Sequence, residues 1–107
     1  MKTINIKEKF NYFTEKDLLK IIEEKGINEA KFIVPMAKLE QFGFLTYTSS
    51  TDKKDKVICT INEDRFKVED NYKITLIAED KDNYGKKHYY TSDLASLIKE
   101  GYIKIIE

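Results

Sequence analysis

"MAKLEQFGFLTYTSSTDKKDKVICTI", residues 36–61, passes from a helical spacing into two apolar strands across one polar turn. Met36, Leu39 and Phe42 recur at the interval of one helix face. Pro35, just before them, suits a first helical turn because its missing N–H would go unpaired there in any case. The spacing predicts a short helix over 35–42, closed at Gly43. Beyond it, 44–49 and 56–62 read as the strands of a hairpin joined by the polar loop "STDKKD". In "VICTI" the alternation sets Val57, Cys59 and Ile61 on one face.

Upstream, "AKFIV" (30–34) reads as a short buried strand. Before it, Leu18, Leu19, Ile21 and Ile22 make one apolar stripe, so 15–25 is an amphipathic helix. Thr14 is its N-cap, Asp17 completes a capping box, and Phe13 can pack on Leu18 as a hydrophobic staple. Gly26 supplies the left-handed residue such a helix stop needs. At the start, "TINIK" (3–7) alternates Ile4 and Ile6 inward with Thr3, Asn5 and Lys7 outward, the pattern of a half-buried strand. Downstream, "NYKITLIAEDKDNYGKKHYYT" (71–91) reads as a second hairpin turning near Asn83 to Gly85. Thr91 or Ser92 then caps a helix over 92–100 with Leu94, Ala95, Leu97 and Ile98 on its stripe, Gly101 stops it, and "YIKII" closes as a strand. "DLLKIIEEKGI" (17–27) and "DLASLIKEGYI" (93–103) echo one another, as two capped amphipathic helices from a Leu/Ile/Lys/Glu-rich chain will.

These elements predict an α+β fold, a single small domain over residues 1–107. In it an antiparallel-rich sheet with two hairpins is packed by two longer helices and one short one. Leu18, Ile22, Phe32, Leu39, Ile58 or Cys59, Ile74, Leu76, Leu97 and Ile105 are its expected core. A length of 107 residues suits one domain. An apolar share of 41% beside 36% charged residues suits a folded core under a heavily solvated surface. No apolar run reaches the roughly 18 residues of a membrane span, and the first ten residues build no signal-peptide core. A cytoplasmic protein without membrane contact is expected, and the single cysteine makes no demand for an oxidising compartment.

Little in the sequence supports catalysis or a cofactor. Cys59 reads as a small core hydrophobe, and a thiol in apolar surroundings is a poor nucleophile. His88 is the only histidine, so the chain lacks the ligands of a zinc site. "DKDNYG" (80–85) opens like a calcium loop but puts Tyr84 at the fifth position and Thr91 at the twelfth, where acids are required. The four glycines all sit at helix ends or a turn, which leaves none for a phosphate cradle. No catalytic residue, metal site or cofactor is expected.

The stretch from 14 to 62 resembles the winged-helix family. "TEKDLLKIIEEKGINEA" stands where that family places its first helices, "KLEQFGFL" follows the recognition helix, and "TSSTDKKDK" stands at the wing tip. The resemblance implies a DNA-binding regulator with Lys38, Lys53, Lys54 and Lys56 as contacts. The residues themselves offer little base-reading chemistry: the helix at 35–42 holds neither arginine nor asparagine for bidentate base contacts. Nineteen basic side chains also balance nineteen acidic ones, where a nucleic-acid binder usually shows a basic excess.

The other reading is a small non-catalytic protein-interaction module, of the kind a phage or mobile element uses to block or adapt a host complex. Seven tyrosines supply rigid amphipathic anchors. The second hairpin offers Asp80 and Asp82 on one arm, Lys86 and Lys87 on the other, and Tyr84 and Tyr89 beside both signs of charge. Those six residues are the expected partner contacts, with a protein as the partner and nucleic acid as the alternative.

Overall fold

The computed structural model describes residues 2–70, 74–79, 86–90 and 92–107. Helix α2 (Glu15–Lys25) forms where its cap residues dictate. The Thr14 hydroxyl accepts from the Asp17 N–H at 3.4 Å, and the Asp17 carboxylate accepts from the Thr14 N–H at 3.0 Å. Two of the four orphan donors of the first turn are thereby satisfied. Gly26 ends the helix at φ 91°, its N–H returning to Ile22 O at 2.8 Å. Leu18, Leu19, Ile21 and Ile22 are all buried, so the stripe faces the core as its spacing requires.

The chain then enters β1 (Lys31–Pro35), an inner strand of a four-stranded antiparallel sheet. With β2 (Leu45–Ser50), β3 (Lys56–Ile61) and β7 (Lys104–Ile105), the order is β2-β3-β1-β7. Its register sets Phe32 opposite Cys59 on one side and Ile105 on the other. Tyr47 lies opposite Cys59 in turn, so one row crosses all four strands: Tyr47, Cys59, Phe32, Ile105. A second antiparallel sheet, in the order β4-β5-β6, is built from β4 (Phe66–Val68), β5 (Ile74–Glu79) and β6 (Lys86–Tyr90). Helix α3 (Ser92–Lys99) buries Leu94, Ala95 and Ile98 in the same core as α2. The result is a small α+β structure with antiparallel sheets and few helices, of which only α2 runs to three turns.

Four expectations are corrected. The strand expected at 3–7 is instead a single turn, α1 (Ile6–Lys9), capped by Asn5, whose Oδ1 accepts from the Glu8 N–H at 3.3 Å. Two isoleucines two apart satisfy a strand pattern, but Ile6 and Phe10 are also one helical turn apart, and the Asn5 cap decides between them. Only the preceding residues keep sheet contact, with Thr3 bridged to Ile106 and Ile4 N–H donating to Ile105 O at 2.9 Å. The helix expected at 35–42 is a 3₁₀ segment, Met36–Gln41, and Pro35 belongs to β1, opposite Lys56. Met36 N–H donates to Asp55 O at 2.8 Å at the start of the segment, and at its end Phe42 N–H donates to Leu39 O at 3.1 Å, the i→i−3 bond of a 3₁₀ turn.

The terminal strand expected at 102–106 shrinks to Lys104–Ile105, because Gly101 and Tyr102 are taken up in ending α3. The single expected sheet is two sheets, and the second begins with β4. That strand follows a 3₁₀ turn, Glu63–Arg65, capped by Asn62 Oδ1 accepting from the Asp64 N–H at 3.1 Å.

Among the expected core, Leu18, Phe32, Cys59 and Ile74 are fully enclosed, Ile105 and Ile22 nearly so, and Ile58 is buried on the opposite face of β3 from Cys59. Leu39 and Leu97 are only partly buried and pack on the core's margin. The side chain of Leu76 lies outside the described residues. Leu18→Ala should therefore destabilise the fold by about 2–5 kcal/mol, and Leu97→Ala by less than half as much. Urea unfolding of both variants checks this, and equal losses would show that α3 presents a different face to the core.

Candidate partner-binding surface

Gly101, at φ 87°, ends α3 in a Schellman stop: its N–H donates to Ile98 O at 3.1 Å, and the next N–H, of Tyr102, reaches back to Leu97 O at 2.9 Å. A side chain other than hydrogen would strain that φ. The stop turns Tyr102 back beside Leu97, and both line an open cleft of about 660 Å³ between the end of α3 and the 36–41 segment. Pro35 and Phe42 contribute the facing wall. Phe42 is steadied edge-to-face by Phe44, with ring centroids 5.8 Å apart. Tyr102 is 68% exposed, and Met36, at the start of the 36–41 segment, is 56% exposed.

Two charged residues, Lys38 and Glu100, line the cleft from its two sides. Neither forms an ion pair among the described residues. Among the described residues the cleft is thus a mostly apolar trough with one free cation and one free anion, lined by neither histidine nor cysteine.

The basic residues expected at a DNA interface are partly brought together. The turn 52–55 is drawn against the start of the 36–41 segment by the Met36 to Asp55 hydrogen bond and by the pairing of Pro35 with Lys56. Lys38, Lys53 and Lys54 are exposed and Lys56 half-buried, but exposed Asp52 and Asp55 stand among them. The Thr51 hydroxyl folds the turn tightly, donating to Lys53 O and Lys56 O at 2.8 and 3.0 Å and accepting from the Lys53 N–H at 3.2 Å.

In the second hairpin, Asp80, Asp82 and Tyr84 lie outside the described residues, as does the "DKDNYG" turn. Lys86, Lys87 and Tyr89 lie on β6, paired in register with Glu79, Ala78 and Leu76, but their side chains are outside the described set. Cys59 is wholly buried, and burial pushes its thiol pKa up. Among the described residues no group of three or more His, Cys, Asp or Glu could hold a metal ion, and no helix is long and apolar enough to cross a membrane.

Comparison of the chain with models of protein families, with curated proteins and with solved structures finds no match.

Sequence reasoning read Tyr102 as the first residue of a strand and so missed the cleft. The signal was the phrase "LIKEGY": a helix, a glycine and an apolar residue in the place that folds back on the last turn.

Two outcomes follow from this geometry. A thiol-specific disulfide reagent should label Cys59 only as fast as the chain opens, with mild urea raising the rate; prompt stoichiometric labelling of the native protein would show the thiol to be accessible. Binding to duplex DNA should be weak and indifferent to sequence, and should be lost as salt is raised to about 0.2 M. A sequence-dependent complex that survives such salt would establish Lys38, Lys53, Lys54 and Lys56 as contacts.

Proposed function

We propose that the chain is a small non-catalytic protein-interaction module that receives an apolar segment of its partner in the cleft beside Tyr102. The observation that carries this reading is an aromatic side chain left 68% exposed on a main chain anchored by a two-bond helix stop. With its main chain already fixed, only the side chain's rotamers remain to be ordered on binding, and the ring offers both an apolar face and a hydroxyl able to hydrogen-bond. Interfaces draw most of their energy from a few anchors of this type, surrounded by contacts that exclude water.

The cleft's chemistry narrows the partner. Its apolar lining favours aliphatic or aromatic anchors, and its open side admits a continuous chain rather than enclosing a small molecule. Lys38 and Glu100 would fix register, favouring a segment with an acid toward the first and a base toward the second. The hairpin residues Asp80, Asp82, Tyr84, Lys86, Lys87 and Tyr89 provide a second contact face in this proposal, resting on their sequence alone.

Affinity capture with the wild-type chain and with Tyr102→Ala, followed by mass spectrometry, tests the reading. The expected result is a protein retained by the wild type and weakened at least about tenfold, or 1.4 kcal/mol, by Tyr102→Ala, while thermal unfolding stays within error. A partner held equally by both would move the interface elsewhere. A partner lost only with a Tyr84→Ala, Lys87→Glu double variant would place it on the hairpin.

A further inference from the structure

Strand β2 closes one end of the sheet order β2-β3-β1-β7, and among the described residues nothing pairs with its outer side. Two hydrogen bonds at its ends show which main-chain groups face outward. Asn62 N–H donates to Phe44 O at 2.8 Å, and Thr51 N–H to Lys56 O at 3.4 Å, so the 44/62 and 51/56 pairs are of the hydrogen-bonded kind. In an antiparallel ladder such pairs alternate with pairs whose N–H and C=O point away from the partner strand. Counting from Phe44 through Leu45, opposite Ile61, and Thr46, opposite Thr60, the alternation turns the main chain of Tyr47, opposite Cys59, to the free side. The N–H of Leu45 is already taken by Phe42 O at 2.8 Å. Beyond Tyr47 the register slips at Thr48, whose hydroxyl donates to Ile58 O at 2.9 Å.

The same edge is unusual in its charge. Residues 41–51, "QFGFLTYTSST", hold no charged side chain in a chain that is 36% charged. Free edges are commonly guarded by lysine, proline or a bulge, and here only the bulge is present. Tyr47 is 49% exposed and is the outer member of the row whose next three residues, Cys59, Phe32 and Ile105, are buried.

We infer that the outer edge of β2 pairs antiparallel with β2 of a second copy of this chain, about a two-fold axis at Tyr47. A two-fold axis brings residues close to it against their own counterparts, so a charge there would meet its like; the uncharged run removes that penalty. The Tyr47 N–H of each copy donates to the Tyr47 C=O of the other. Their rings come side by side on one face, with Cβ atoms about 4.5–5.5 Å apart. The transverse row of one sheet then continues into that of the next. The bulge after Tyr47 keeps the pairing short, which makes a weak, concentration-dependent dimer. The cleft at Tyr102 takes no part in it.

Sedimentation velocity of the full chain over a concentration series tests this. The expected result is a monomer that passes to a dimer as concentration rises. Tyr47→Phe should retain it, whereas Tyr47→Lys and Tyr47→Glu should each raise the dissociation constant at least about tenfold. Mixing the Lys and Glu variants should restore association, because opposite charges then face each other across the axis. Each variant's unfolding at low concentration should match the wild type, since the side chain is half exposed. A chain that stays monomeric to about 1 mM, a dimer indifferent to Tyr47→Lys, or a mixture that fails to recover association would each overturn the inference.

Discussion

The pairing of Phe32 with Cys59 across β1 and β3 is the contact on which the rest of the structure depends. Both side chains are wholly buried, and the next pair on that face, Val34 with Val57, is buried as well. Register along a strand is quantised: a slip by one residue would turn Phe32 and Val34 to the other face and bring the half-exposed Ile33 inward. The chosen register lets β1 bind β3 on one side and β7 on the other, and so ties the C-terminal end of the chain to its middle. Ile106 N–H donating to Lys31 O at 2.9 Å, with Thr3 bridged to Ile106, then fastens the N-terminal residues to the same place.

The helices are fitted to that sheet by their ends as much as by their stripes. α2 begins on a reciprocal cap and ends on Gly26, while Glu29 and Ala30 N–H both return to Gly26 O at 3.0 Å, which delivers the chain to β1 within a few residues. α3 ends on Gly101, and the Schellman stop delivers Ile103, fully buried, and then β7. In both places a glycine with positive φ converts helix into extended chain over a short distance. The cost is that one residue after α3, Tyr102, is left outside the core with its main chain fixed.

What could be read from the sequence was what local chemistry decides. The cap at Thr14 and Asp17, the stripe of α2, the stop at Gly26 and the inward face of Val57, Cys59 and Ile61 are settled by neighbours a few residues away, and each is found where the pattern places it. The failures fall where distant contacts decide. Nothing between residues 35 and 42 reveals that Met36 N–H bonds to Asp55 O, a contact with a distant turn made at the start of the 3₁₀ segment. Leu97 shares a stripe with Leu94 and Ile98, but it lines the cleft that α3 shares with the 36–41 segment. The candidate site was the least legible part, because a cleft belongs to two segments some sixty residues apart, whereas an aromatic residue after a glycine looks from the sequence like the start of a strand.

Two of the exposed tyrosines, Tyr47 and Tyr102, illustrate how position in a sheet, and not residue type, separates a structural side chain from an available one. Tyr47 lies in a row whose other members are buried, and it is exposed only because β2 is the last strand in the order. Tyr102 directly precedes Ile103 and the β7 strand at the opposite edge, and it is exposed because the helix stop uses its main chain and leaves the ring outside. The first is an interior position that lacks one more strand to cover it; the second is a surface position that the backbone cannot withdraw. The first calls for main-chain pairing by a strand, which selects for matching edges and the absence of charge. The second calls for side-chain packing in a trough, which selects for shape and for charges at the rim. Because the sheet order places β2 and β7 at opposite ends, a strand added beside Tyr47 would extend the sheet at the end away from β7.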